Sequence, residues 1–179
     1  MIFGQSWVFS VEACVEVHDK RCLGTFCLYI ADRLIGAMDD LIDLRNSARS
    51  VRLFLKAADR RVRPDLDNAS MAEVFDVLYG RYTVRLADWT RTKTDNSFAN
   101  RKRARSTTEP WDRDPYLLDD IGESSIRDRY TILVVGKSNG EDRIVIKSYI
   151  DESLSEIMAE SGLVDCSLRD YCSWVDTLC

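Results

Sequence analysis

Trp7-Val-Phe-Ser-Val-Glu-Ala-Cys-Val-Glu-Val17 and Gly24-Thr-Phe-Cys-Leu-Tyr-Ile30 are the stretches that decide the fold. In the first, Trp7, Phe9, Val11, Ala13, Val15 and Val17 hold the odd positions, with Ser10, Glu12, Cys14 and Glu16 between them. Successive side chains of extended backbone point to opposite sides, so this alternation marks a strand with one buried face. In the second, Phe26, Leu28 and Ile30 hold the even positions. The polar residues His18, Asp19, Lys20 and Arg21 separate the runs, and residues 1–36 read as a β-hairpin. Pairing Val15 with Phe26, Ala13 with Leu28 and Val11 with Ile30 gathers every large apolar group on one face. That register also sets Cys14 against Cys27 on the other face.

A sheet with one apolar face needs a cover, and the following residues have the pattern of one. Ser47 to Asp59 fits a helix with Asn46 as N-cap, its stripe being Ala48, Val51, Phe54, Leu55 and Ala58. Pro64 marks a loop across 60–67. Ser70 opens a second helix: Ser70 and Glu73 have capping-box spacing, Met71, Val74, Phe75 and Leu78 form the stripe, and Gly80 suits the C′ position. Residues 90–110 are polar, nearly free of aliphatic side chains, and carry Arg101, Lys102, Arg103 and Arg105; a mobile basic loop is expected.

Order returns in the C-terminal third. Tyr130 to Val135 is apolar almost throughout, as in a strand covered on both faces. Asn139-Gly140 signals a turn and Arg143 to Tyr149 the partner strand. Leu154 to Ala159 fits either a strand or a helix by periodicity. Leu168, Tyr171, Cys172, Val175 and Leu178 form a final helical stripe. The reading is a single α+β domain over 1–179, with an antiparallel sheet of N-terminal hairpin plus C-terminal hairpin or meander, two central helices and a C-terminal helix.

The totals narrow the function classes. The 179 residues suffice for one domain with a real core, and 45% apolar residues are ordinary for a globular chain. No apolar run is long enough to span a bilayer and no signal peptide is recognisable, so the expected place is the cytoplasm, where the six cysteines stay reduced. A net charge of −5 argues against nucleic acid as the direct ligand. The charge is also uneven. Asp112, Asp114, Asp119, Asp120, Glu123 and Asp128 outnumber Arg113 and Arg127, and the seven acids from Asp151 onward face Arg169 alone. Such a surface is either a plain solvated face or one that steers a basic protein partner.

Chemical sites are weakly signalled. Cys14, His18, Cys22 and Cys27 contain zinc-ligand types but no C-x₂-C knuckle. The single histidine sits in an expected turn without an orienting carboxylate, and the adjacent carboxylate pairs Asp39-Asp40 and Asp119-Asp120 would point apart in a strand. No glycine-rich phosphate loop occurs. Neither a catalytic residue nor a metal or cofactor is expected. The cluster Arg101–Arg105 leaves a nucleic-acid-binding module as the alternative reading.

A family resemblance adds what spacing does not. The opening Met-Ile-Phe-Gly, the strand with Phe9, and Phe26-Cys27-Leu28-Tyr29-Ile30 followed by Leu34, Ile35 and Gly36 resemble the start of a family of bacterial polymorphic-toxin immunity proteins, the one numbered forty-two. Its F-x-L-Y-I-x-G-x-x-x-G region is matched except at Asp32, where the family often has an earlier glycine. Gly122-Glu123-Ser124 through Tyr130 to Val135, the turn, and Arg143 to Tyr149 are similar to the family's C-terminal hairpin. Members follow that hairpin with one more strand and a helix, which favours a strand at Leu154–Ala159.

The resemblance implies a cytoplasmic immunity protein of contact-dependent growth inhibition systems, not an enzyme, that forms a heterodimer with the C-terminal domain of a cognate toxin. It implies no direct nucleic-acid, membrane or small-molecule partner. Combined with the charge pattern, it points to a nuclease-type toxin and to Trp111, Asp112, Asp114, Tyr116, Asp119, Asp120 and Glu123 as toxin-binding residues, with Trp111 and Tyr116 as exposed anchors.

Overall fold

The computed structural model describes residues 1–17, 22–80, 115–118, 121 and 124–178. Sheet A runs β1 (Ile2–Gln5), β2 (Phe9–Val17), β3 (Leu23–Ile30) and β4 (Arg33–Ile35) in spatial order, all antiparallel, with the short β5 (Ile42–Asp43) also on β3. Phe9, Val11, Ala13, Phe26, Leu28 and Ile30 share its buried face, each fully shielded from water.

The β2–β3 register differs from the expected one by two residues: Phe9 faces Ile30, Val11 faces Leu28 and Ala13 faces Phe26. A two-residue slip keeps every side chain on its face, so apolar sorting alone leaves the two registers equivalent. Gly24 separates them. It lies opposite Val15, and a Cβ there would come within 2.1 Å of the Cys14 carbonyl oxygen. Beyond this close approach β2 bulges between Val15 and Val17. Val15 is therefore 38% exposed, Cys14 faces Thr25, and Cys27 faces Glu12, so the expected Cys14–Cys27 apposition does not form. Trp7 also leaves the expected face. It occupies the tight turn closed by Val8 N–H on the Gln5 carbonyl, and it is 63% exposed.

Helix α1 (Leu44–Leu55) starts three residues before the expected Ser47. Its N-cap is Asp43, whose carboxylate accepts from the Arg45 and Asn46 amides at 3.0 and 3.3 Å, so Asn46 lies inside the first turn. Leu44, Ala48, Val51 and Phe54 form its buried stripe. Residues 71–80 are helical (α2), and the capping box forms as expected: Ser70 N–H donates to the Glu73 carboxylate at 2.7 Å, and Glu73 N–H donates to Ser70 Oγ at 3.3 Å. Gly80 is still helical, and the residues that end α2 lie outside the described set, as does the expected loop at 90–110.

A short helix, α3 (Ser124–Arg129), leads into sheet B, an antiparallel meander of β6 (Tyr130–Gly136), β7 (Asp142–Ser148) and β8 (Leu154–Ala159). Leu154–Ala159 is thus the strand favoured by the resemblance. Gly140 takes φ +88° in the 137–141 loop, where Asn139 also accepts the Glu141 amide at 3.1 Å. The two hairpins belong to separate sheets. Ile132, Val134, Ile144 and Ile146 turn toward the core shared with sheet A, while Leu133, Val135 and Val145 turn to a second cluster with Leu66, Val74, Leu78, Tyr116 and Leu117. The α+β architecture expected from the sequence is present.

Helix α4 (Leu163–Thr177) closes the main core over sheet A. Tyr171 lies edge-on to Phe26 at 4.8 Å between ring centres and donates its hydroxyl to the Leu44 carbonyl at 3.3 Å. An aromatic pair of this geometry adds about 1 kcal/mol to the apolar area it buries.

Candidate functional site

With sheet A covered on its apolar face by helices and sheet B enclosed on both faces, the accessible features are turns, edges and charges. Ala31 and Asp32 both take positive φ in the β3–β4 turn, +52° and +58°. Their amides donate to the Val8 and Ser6 carbonyls at 3.2 and 3.0 Å, so this turn sits beside the one carrying Trp7. Arg33, next along, lies 4.0 Å from Asp151 in the β7–β8 turn. One corner therefore combines the exposed Trp7 (63%), Leu34 (41%) and Ile150 (63%) with exposed acids. Hydrogen bonds from Ser148 and Ser153 hold the Asp151 carboxyl down at about 2, keeping it ionised at any physiological pH.

The acids from Asp151 onward divide by role. Asp165 is buried against Arg61. Glu156 pairs with Arg143 at 2.5 Å, and Arg143 Nη1 also donates to the Ala69 carbonyl at 2.8 Å, so this group pins the 66–69 loop to sheet B. Asp176 pairs with Arg52 at 2.6 Å, joining α4 to α1. Glu152 lies 3.5 Å from Lys147. Glu160 and Asp170 are exposed and have no ion-pair partner among the described residues. The acidity read from composition is thus partly structural and partly open to solvent.

Of the expected contact residues, Trp111, Asp112, Asp114, Asp119, Asp120 and Glu123 lie outside the described residues. Tyr116 is described, and it is not an exposed anchor. It is 8% exposed, packs in the second cluster, and donates its hydroxyl to the Arg60 carbonyl at 3.1 Å. The reason is local: Leu118 N–H donates to the Ile132 carbonyl, and the Tyr116 carbonyl accepts from Val134 N–H, so the segment runs along the edge of β6. Trp7 and Ile150, each 63% exposed, are among the exposed apolar groups that the sequence reading missed. Proximity of Trp7 to the turn before Phe9 was the available signal, but alternation placed it on the buried face.

Among the described residues no chemical centre gathers elsewhere. Cys14 is exposed on the outer face of sheet A, whereas Cys22 is in the core. Among the described residues no group of three or more His, Cys, Asp or Glu side chains is placed to hold a metal. His18 is outside them. Also among the described residues, no helix is long and apolar enough to cross a membrane.

The family model described as Immunity protein 42 matches residues 1–174. The chain belongs to this family. The match spans both sheets, α1, α2 and nearly all of α4, so the Immunity protein 42 unit is this whole fold and not one of its hairpins. No curated protein and no solved structure matches the chain. Membership assigns an immunity function and a toxin as partner.

Proposed function

We propose that this Immunity protein 42 member neutralises its toxin by direct one-to-one association with the toxin's C-terminal domain in the cytoplasm, without chemistry of its own. The observation that carries this reading is the family match over residues 1–174. The charge distribution supports a nuclease-type toxin, because an enzyme that binds phosphates presents a basic field and this chain carries −5 with its acids concentrated after residue 111. Trp111, Asp112, Asp114, Asp119, Asp120 and Glu123 are proposed as toxin contacts on that basis, without Tyr116. The Arg101–Arg105 module has no observation in its favour.

Co-expression with the toxin domain encoded beside this chain tests the reading. A stable complex on co-purification, and survival of cells carrying both, is the expected result. Free toxin domain in the presence of folded immunity protein would refute it. For the contact residues, changing Asp112, Asp114 and Asp119 together to Lys should slow association and abolish protection, whereas unchanged kinetics at fixed salt would remove that stretch from the interface.

A further inference from the structure

Sheet B has two edges, and among the described residues only one is closed. On β6 the outward groups are taken: the Ile132 carbonyl accepts from Leu118, Val134 N–H donates to Tyr116, and Gly136 exchanges bonds with Arg61 and Arg63, all at 2.8–3.0 Å. The other edge is β8. In an antiparallel ladder, residue pairs alternate between those that exchange main-chain hydrogen bonds and those that do not. Ser148 N–H donates to the Ser153 carbonyl at 2.9 Å, which makes Ile146–Ser155, Ile144–Ile157 and Asp142–Ala159 the bonded pairs. Leu154, Glu156 and Met158 therefore direct both N–H and C=O away from β7. None of these groups has a main-chain partner among the described residues. The Glu156 and Met158 side chains are exposed, so among the described residues the edge stands open.

The charges along this edge select the occupant. Between Lys147 and Arg169 the chain has five acids and no base, and Asp165 is the one of the five that is buried. Asp151, Glu152, Glu156 and Glu160 flank the edge; the first three keep exposed carboxylates beside Arg33, Lys147 and Arg143, and Glu160 has no ion-pair partner among the described residues. A second copy of the chain is disfavoured there. Antiparallel pairing of β8 with itself about Glu156 sets Glu156 against Glu156 and Glu152 against Glu160, and like charges directly opposite are repulsive. A strand bearing Lys and Arg meets attraction at the same positions. The edge is also rigid before binding, since β7 and both core clusters hold the sheet, and little conformational entropy is lost when a strand docks.

We propose that β8 is the docking edge for the toxin: a basic strand of the toxin domain adds to sheet B, exchanging main-chain hydrogen bonds with Leu154, Glu156 and Met158 beside Glu152, Glu156 and Glu160. This rests on the immunity reading above and names where it acts. Residue-resolved amide exchange on the co-purified complex tests it without any substitution. The Leu154, Glu156 and Met158 amides should exchange freely in the immunity protein alone and become protected in the complex. Met158→Pro removes one outward N–H and no β7 bond, and should weaken binding by about tenfold, while Met158→Val should bind like wild type. A complex in which these three amides stay fast, or a folded Met158→Pro protein with wild-type affinity, overturns the edge assignment and leaves the immunity reading standing. Failure of the wild-type chain to bind the toxin domain overturns both. Protection of the same amides that rises with protein concentration in the absence of toxin shows copy-to-copy pairing and also overturns it.

Discussion

Arg61 and Asp165, 104 residues apart in sequence, form a buried ion pair with Nη2 and Oδ1 2.5 Å apart. The Arg61 guanidinium also lies over the Phe54 ring at 4.2 Å, and its main chain bonds to Gly136 at the end of β6. One residue thus joins α1, α4 and sheet B. Removing a single partner leaves the other buried charge with only a weaker neighbour, Arg169 at 3.8 Å for Asp165 and Asp142 for Arg61, and costs about 3 kcal/mol. Asp165→Leu and Arg61→Met should each lower the urea midpoint strongly. The double variant should recover much of the loss, because neither charge is then left alone; additive losses in the double-mutant cycle would contradict this.

Asp142 stands near this pair and accepts the Gly162 amide at 3.2 Å. Burial pushes its carboxyl above the ordinary value of 3.8, against the opposing pull of the Gly162 amide and Arg61, while the nearby Asp165 adds a further push upward. The folded protein therefore holds this proton more tightly than the unfolded chain. Its stabilising share is present below the unfolded pKa and is lost as pH rises through the folded one. Asp142→Asn keeps an acceptor for Gly162 without the charge. It should raise Tm at pH 7, with the gain shrinking below about pH 4. A gain independent of pH would show that ionisation of Asp142 is not its source.

Gly4 takes φ +102°, and a Cβ there would come 2.3 Å from Ser167 Oγ and 2.5 Å from the Phe9 carbonyl oxygen. Here β1 meets α4. Gly4→Ala adds backbone strain to a contact with main chain, which has little room to yield, and should cost about 3 kcal/mol. Ser167→Ala in the same chain should restore little of it, because the Phe9 oxygen stays in place. Full rescue would assign the whole effect to Ser167.

The cysteines differ in reach. Cys14 and Cys166 are exposed, whereas Cys22, Cys27 and Cys172 are buried, and burial pushes the Cys172 thiol up to about 11. Only the thiolate reacts. Brief treatment with iodoacetamide at pH 8, followed by peptide mapping, should label Cys14 and Cys166 well before Cys22, Cys27 and Cys172. Early labelling of Cys172 would mean that α4 opens from α1 in the native state.

Much of this was legible locally. Alternation placed Phe9, Val11 and Ala13 on one face, Ser70 and Glu73 announced their capping box, and the stripe of Leu168, Tyr171, Cys172 and Val175 marked the last helix. Each depends on residues within a few positions of one another, where backbone geometry alone sets which side chains share a face. Membership of an immunity family was legible in the same way, from short runs at the two ends of the chain.

The tertiary structure decided what depends on distant partners. The β2–β3 register turned on the close approach of Gly24 to Cys14, since a two-residue slip is invisible to alternation. Tyr116 became core because its segment found the edge of β6, and Trp7 became surface because a turn intervened. The open edge of β8 is likewise a property of strand order, which assigns Leu154, Glu156 and Met158 no neighbour among the described residues. Periodicity reports which groups avoid water, but a sheet's edges are set by which strands lie side by side, and only the folded chain specifies that.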